Sequence, residues 1–250
     1  MSGKKRHAKL DAIKSACREY IRETLSGQFE GVVRSALAET GIEANWPSVV
    51  IDPDDPDGQS LLLWYPSVTA AQDDYVRPAV KIESGAKSAL DPHQDLVIHP
   101  YVSDEVPQLS LSVDNVTTVV AERTFWDKII ILHGVRKWFE NRGVLRYQGQ
   151  RVSRHYYDVH RLLQSDRLRK TVGDRELAAD CAAHARMFFN SPDLGLSTAA
   201  PGTFSVNPTD RMVEELRRDY GRMSGMIIGD APRFEEVIVS IASLEAELNH

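Results

Sequence analysis

Three short segments of the sequence carry charged residues at spacings that suit phosphate or metal chemistry. The first is Val80-Lys81-Ile82-Glu83, whose alternation is typical of a β-strand, so Lys81 and Glu83 share one face. A carboxylate presented from a strand is a common ligand for a divalent cation. The same two side chains could form a plain ion pair on a solvated face. The segment therefore predicts either a metal ligand at Glu83 or a Lys81–Glu83 ion pair.

The second candidate is a lysine near the start of the first long helical pattern in the C-terminal half. Lys128 shares a helix face with Thr124 and Ile131, about 100° from the apolar stripe that starts at Phe125. This places Lys128 at the rim of the buried face. There its ammonium could reach a phosphate as a point charge. The simpler alternative is a lysine that extends from the core boundary into solvent.

The third candidate lies in the segment Ser153–His160, which is rich in histidine and tyrosine. Asp158 is four residues from Arg154, so both face the same way on a helix, and Arg154 is its expected structural partner. Because a carboxylate inside such a helix is partly buried, and buried acids are paired or functional, Asp158 is also a catalytic candidate. His155 and His160 are five residues apart, so they do not share a face and are not expected to bind a metal together.

Composition and charge exclude several classes of protein. The chain has 250 residues and a formal net charge of -6, so charge alone does not indicate nucleic-acid binding. Its two cysteines, Cys17 and Cys181, are far apart and indicate reduced thiols in a cytoplasmic protein. No apolar run approaches the roughly 20 residues of a membrane helix, and neither a P-loop nor a dinucleotide-binding glycine motif is present. We expect a cytoplasmic protein without membrane contact.

Strand patterns fill most of the first half of the chain, and helical patterns fill the second. After a helical segment at 10–40, strands are predicted at 49–51, 61–65, 75–83, 95–101 and 116–121. Helices are predicted at 122–139, 153–163, 175–189, 210–223 and 234–248. This order is typical of an α+β fold rather than of alternating βαβ units. We predict two domains, 1–121 and 122–250.

The three charged segments, in this order, resemble the nucleotidyltransferase AbiEii/AbiGii toxin family. The resemblance rests on Val80–Ser88, on Glu122–Lys128 followed by Leu132-His133, and on Arg154–Asp158. It continues through the C-terminal helices and covers nearly the whole chain. It implies a polymerase-β-like nucleotidyltransferase with a partial, mixed sheet in the first half and a helical bundle in the second.

The resemblance also implies the reaction and its residues. A toxin of a bacterial toxin–antitoxin or abortive-infection system would use Mg²⁺ to transfer NMP from an NTP to an RNA, such as tRNA, or to a protein. Glu83 would be the strand carboxylate and a metal ligand, Lys128 would contact the triphosphate, and Asp158 would be the helical catalytic aspartate. An antitoxin from the same operon is the expected partner. Substrate binding is assigned to Lys81, Arg123 and Arg154.

Two elements of the family pattern are missing from the sequence. There is no Gly-Gly-Ser or Gly-Gly-Thr, and Asp-x-Asp occurs only as Asp52-Pro53-Asp54, where the proline indicates a loop. We therefore expect the chain to be truncated, and its transferase activity to be weak or absent. The alternative is a non-catalytic module that binds RNA or protein through basic clusters, above all 142–154. A metal-dependent nuclease is a further alternative, built from His155, Asp158, His160 and Glu83.

Overall fold

The structure of the chain is a computed structural model that describes residues 3–39, 41, 48–55, 57–66, 77–85, 89–146, 151–189 and 191–250. These residues belong to two units, Met1–Ser88 and Ala89–His250. Among the helices within the described ranges, none is both long and apolar enough to cross a membrane. Both cysteines are free, and Cys181 is buried.

The first unit begins with a nearly continuous helix. Helix α1 (Gly3–Tyr20) passes through one π-helical stretch (Ile21–Leu25) into α2 (Ser26–Glu39). The side chain of Ile21, at the start of the π-helical stretch, is buried. Gly27 and Gly31 both lie inside α2 and do not end it.

Three antiparallel strands complete the first unit. They are β1 (Ser48–Ile51), β2 (Ser60–Trp64) and β3 (Ala79–Glu83), in the order β1-β2-β3. The first two strands pair antiparallel as a hairpin with a long connection. Leu61 and Leu62 of β2 are buried. The predicted third strand started at Tyr75, but residues 75 and 76 lie outside the described ranges.

The second unit contains a separate two-stranded sheet. Strand β4 (His93–Ile98) pairs antiparallel with β5 (Val113–Val119), and the short helix α3 (Val102–Glu105) lies between them in sequence. Both predicted strands exist, but each starts and ends earlier than expected. Strand β4 stops before Tyr101, since Pro100 has no N–H to donate to a ladder.

Six further α-helices lie in the described part of the second unit. They are α4 (Ala121–Arg142), α5 (Ser153–Leu162), α6 (Asp166–Thr171), α7 (Arg175–Phe188), α8 (Asp210–Met223) and α9 (Phe234–Leu248). Helix α4 packs against α5, α6 and α7, and α5 also packs against α8 and α9. Phe125, Ile129 and Leu132 are fully buried, as their spacing predicted. Helix α6 was not predicted, because six residues are too few to show a helical period.

The predicted α+β class is confirmed, but the sheet differs from the prediction. Every strand pairing within the described ranges is antiparallel, and the strands form two small sheets instead of one mixed sheet. Parallel pairs need long crossover connections, usually a helix. The connection between β4 and β5, which is described throughout, carries only the four-residue α3 and a single 3-10 turn (Pro107–Leu109). The domain boundary at residues 121 and 122 stays a prediction. Strands β4 and β5 belong to the same unit as the C-terminal helices.

Candidate functional site

Lys128 and Asp158 meet between two packed helices of the second unit. Lys128 Nζ on α4 lies 2.6 Å from Asp158 Oδ2 on α5, and both side chains are partly exposed, at 22% and 35%. Asp158 was expected to pair with Arg154, its neighbour at four residues on the same helix. That expectation is wrong, because packing of α5 against α4 brings the carboxylate to the lysine instead.

A histidine completes this arrangement, and the sequence indicated a role for it only in the nuclease alternative. His155 Nδ1 lies 3.2 Å from Lys128 Nζ. Since an ammonium only donates, Nδ1 accepts the hydrogen bond and the ring proton resides on Nε2. Burial, together with the charges of Lys128 and Arg154, lowers the pKa of His155 to about 3, so the ring is neutral at neutral pH. Lys128, His155 and Asp158 are called the Lys128 cluster below.

Helix α5 is held in place by a buried carboxylate from α8. Its N-cap residue, Val152, has no side chain that could cap the helix. Asp219, which is 2% exposed, takes over this task. Its oxygens accept hydrogen bonds from the Arg151 N–H (2.7 Å), the Ser153 N–H (2.8 Å) and the Ser153 hydroxyl (2.6 Å). Negative charge at a helix N-terminus is favourable, so Asp219 fixes the turn of α5 that carries His155.

Arg123, a predicted substrate-binding residue, lies in the interior of the second unit. It is 1% exposed, and its guanidinium donates to Asp180 Oδ2 at 2.6 Å and to the Asp91 carbonyl oxygen at 3.1 Å. It also pairs with Asp127 Oδ2 at 3.4 Å. These contacts tie α4 to α7 and to the chain before β4. The geometry supports a structural role and gives no support to substrate contact.

Arg154, the other predicted substrate-binding residue of this unit, is exposed on α5. Within the part of the chain that the structure describes, no carboxylate forms an ion pair with it. Its guanidinium is therefore available to an anion. Its charge also acts on its neighbour, since Arg154 contributes to the lowered pKa of His155.

The predicted residues of the first unit form a second charged group. Lys81 Nζ lies 3.0 Å from Glu83 Oε1 and 3.2 Å from Asp52 Oδ2. Asp52 follows β1 directly and is 3% exposed, whereas the Glu83 side chain is 73% exposed. The predicted Lys81–Glu83 ion pair is present. The sequence did not indicate Asp52 as a partner of Lys81. The prediction that Asp52-Pro53-Asp54 lies in a loop is confirmed.

The residues of these groups do not fit a magnesium site as they are arranged. Within the described ranges, no three His, Cys, Asp or Glu side chains are grouped so that they could hold a metal ion. An ammonium lies between Asp52 and Glu83, where a bridging cation would have to lie. Asp158 is likewise already paired with Lys128. The role of Glu83 as a metal ligand stays a prediction, and no reaction step is assigned to a metal.

Two alternative sites receive little support from the geometry. His160 faces α9, where Nδ1 contacts the Ser240 hydroxyl at 2.9 Å, so it does not join His155 in a nuclease site. Four residues of the basic clusters considered for RNA contact pair with carboxylates of the chain: Arg136 and Lys137 with Glu140, Arg142 with Asp193, and Arg217 with Glu235. Tyr147, which was grouped with them, lies outside the described ranges.

Comparison with known proteins decides the family. A family model described as nucleotidyl transferase AbiEii toxin, type IV toxin–antitoxin system, matches residues 3–240. The chain belongs to the nucleotidyl transferase AbiEii toxin family. No curated protein and no solved structure matches the chain.

Membership in the AbiEii family confirms the resemblance drawn from the three charged segments. It makes the chain a nucleotidyl transferase toxin of a type IV toxin–antitoxin system, with a nucleotide as substrate and an antitoxin as partner. The match includes Glu83, Lys128 and Asp158, whose individual roles stay predictions.

Proposed function

We propose that the chain transfers a nucleoside monophosphate from an NTP to an RNA acceptor in the cytoplasm, and that Lys128 binds the triphosphate. The observation that carries this proposal is the position of Lys128. Its ammonium lies at the edge of two packed helices, is partly exposed, and is held by Asp158 at 2.6 Å. A cation that is fixed before the substrate arrives stabilises phosphate charge without reorganisation during the reaction.

The chemistry of the proposal is a displacement at the α-phosphorus. A hydroxyl of the acceptor attacks the α-phosphorus and forms the new O–P bond. The bond between the α-phosphorus and the α,β-bridging oxygen breaks, so pyrophosphate leaves. The hydroxyl proton passes to solvent. Charge neutralisation and positioning supply most of the catalysis in such reactions. Lys128 is the group that touches the triphosphate. Asp158 acts through Lys128 by fixing the direction of its N–H groups.

RNA is favoured over protein as the acceptor by the charge near this site. Arg154 is exposed on the same helix as Asp158 and has no ion-pair partner within the described ranges, so it can contact a phosphate of the acceptor or of the nucleotide. A tRNA is the acceptor that the family resemblance suggests. A protein acceptor is one of the outcomes of the test.

The test is a labelling experiment with the purified chain. Each of the four NTPs, labelled at the α-phosphate, is incubated with the chain, Mg²⁺ and either total RNA, a tRNA fraction or bacterial protein. We expect label in RNA with one or a few NTPs, and a loss of at least about 100-fold in Lys128→Ala. Lys137→Ala is the matched control, because Lys137 lies on the same helix but pairs with Glu140.

The other outcomes separate the remaining alternatives. Label in protein would identify a protein acceptor instead of RNA. No label with any NTP would overturn the transferase proposal. RNA binding that weakens steeply with salt, without label, would then support the non-catalytic module. Glu83 is tested by itself: weaker turnover of Glu83→Ala at limiting Mg²⁺ would support the predicted ligand role, and unchanged turnover would make Glu83 an ordinary strand residue.

A further inference from the structure

We propose that His155 is a positioning residue, whose neutral imidazole holds the Lys128 ammonium in place for a polyphosphate. The inference rests on the proposed function in one respect, which is that Lys128 is the group that binds phosphate. Nothing in the family match assigns a role to this histidine. It follows from the geometry of the Lys128 cluster.

The first argument is the number of hydrogen bonds that Lys128 makes. An ammonium has three N–H donors. Asp158 Oδ2 at 2.6 Å and His155 Nδ1 at 3.2 Å accept two of them within the described residues. Two acceptors fix the direction of the third donor, whereas a single carboxylate would leave the ammonium free to rotate. The third donor is thereby aimed before a phosphate oxygen arrives.

The second argument is charge. A second carboxylate at position 155 would hold Lys128 equally well, but it would make the cluster net negative and repel a polyphosphate. An imidazole that accepts through Nδ1 holds the ammonium without adding negative charge. Lys128 and Asp158 then cancel, and Arg154 beside them leaves the region positive.

The third argument is that the ring stays in the accepting form. His155 is half-buried, and the charged groups that act on it are Lys128 and Arg154, both positive. Both burial and these charges oppose protonation, so the pKa of the ring lies well below neutral pH. The ring remains an acceptor at every pH at which nucleotide transfer would be measured.

The test compares replacements that keep or lose the acceptor at the position of Nδ1. Asparagine places its amide oxygen close to that position, whereas glutamine reaches further, towards the position of Nε2, and alanine has no acceptor. His160→Ala is the matched control, because His160 lies on the same helix and contacts Ser240 instead of the Lys128 cluster. The probe is inorganic tripolyphosphate, with binding measured by calorimetry on the full chain.

We expect the tripolyphosphate Kd to rise about tenfold in His155→Ala and in His155→Gln, the effect of one hydrogen bond to a charged group. In His155→Asn and His160→Ala it should stay within about threefold of the unmodified chain. Equal Kd values for the alanine, glutamine and asparagine variants would overturn the proposal. So would a Kd that Lys128→Ala leaves unchanged.

A second measurement needs no variant, so it tests the proposal even if the His155 variants do not fold. Long-range ¹H–¹⁵N correlation spectra of the unmodified chain report the tautomer of each histidine. We expect an Nε2–H ring for His155, and a ring protonated on Nδ1 would overturn the proposal.

The two proposals fail in different ways. Tripolyphosphate binding that depends on Lys128 and His155, without labelling of any acceptor, would overturn the proposed function alone. Labelling that depends on Lys128 but is the same in His155→Ala would overturn the role of His155 alone.

Discussion

Lys128 Nζ lies 2.6 Å from Asp158 Oδ2, although the two residues are 30 positions apart and lie on different helices. The closer candidate in sequence, Arg154, stays in solvent on the same helix as Asp158. An exposed pair within one helix contributes little to stability, whereas a partly buried pair between packed helices is less screened by water. The packing of α4 against α5 therefore decides which cation Asp158 meets.

The first prediction concerns this pair as a unit. If Asp158 acts by holding Lys128, Asp158→Ala should lower kcat/KM at least about tenfold. In the double variant, Asp158→Ala should add no further loss to that of Lys128→Ala, because the effects of groups that act together are not additive. Each variant should lose no more than about 1 kcal/mol of unfolding free energy, since the pair is partly exposed. The measurement is steady-state kinetics with urea unfolding. Additive losses in the double variant would show that Asp158 has a role of its own.

The second prediction concerns Asp219 and the start of α5. Asp219→Asn replaces one carboxylate oxygen, which accepts hydrogen bonds from Arg151 or Ser153, with an NH₂ group that can only donate. At least one of these buried hydrogen bonds is therefore lost. We expect a loss of about 2–4 kcal/mol in the free energy of unfolding. Glu235→Gln is the control, because Glu235 is exposed and pairs with the exposed Arg217. Urea unfolding of both variants gives the comparison. Equal losses would mean that Asp219 is not needed for the start of α5.

The sequence predicts the helices that carry Lys128 and Asp158, but it does not predict which residues their side chains contact. Helical spacing placed Lys128 at the rim of a buried face, because that depends only on residues within one turn or two of each other. The contact of Lys128 with Asp158, the hydrogen bonds that Asp219 accepts from Arg151 and Ser153, and the histidine acceptor all depend on how separate helices pack. A pattern within one helix cannot encode those distances.

The third prediction separates the structural role of Arg123 from the predicted role in substrate binding. Arg123→Lys keeps the charge but cannot reach Asp180, Asp127 and the Asp91 carbonyl together. We expect a loss of more than about 2 kcal/mol in unfolding free energy, because buried charged groups lose their partners. The check is urea unfolding, with the NTP KM measured on the folded fraction. Unchanged stability with a raised KM would restore the substrate-binding role.

The fourth prediction is the dependence of stability on pH. Burial and the charges of Lys128 and Arg154 lower the pKa of His155 to about 3 in the folded chain. In the unfolded chain an ordinary histidine titrates near pH 6.5. Between these values the unfolded chain binds the extra proton. The contribution of His155 is therefore complete above about pH 6.5, and it is lost as the pH falls towards 3.

His155→Asn isolates this contribution, because asparagine does not titrate. The free energy of unfolding should fall less steeply between pH 7 and 4.5 in His155→Asn than in the unmodified chain. The difference in slope is at most about 1.4 kcal/mol per pH unit, and it is smaller because the ring is not fully buried. Urea unfolding at several pH values measures both slopes. Parallel curves would show that His155 binds as many protons in the folded chain as in the unfolded chain, so the ring would not be kept neutral below about pH 6.5.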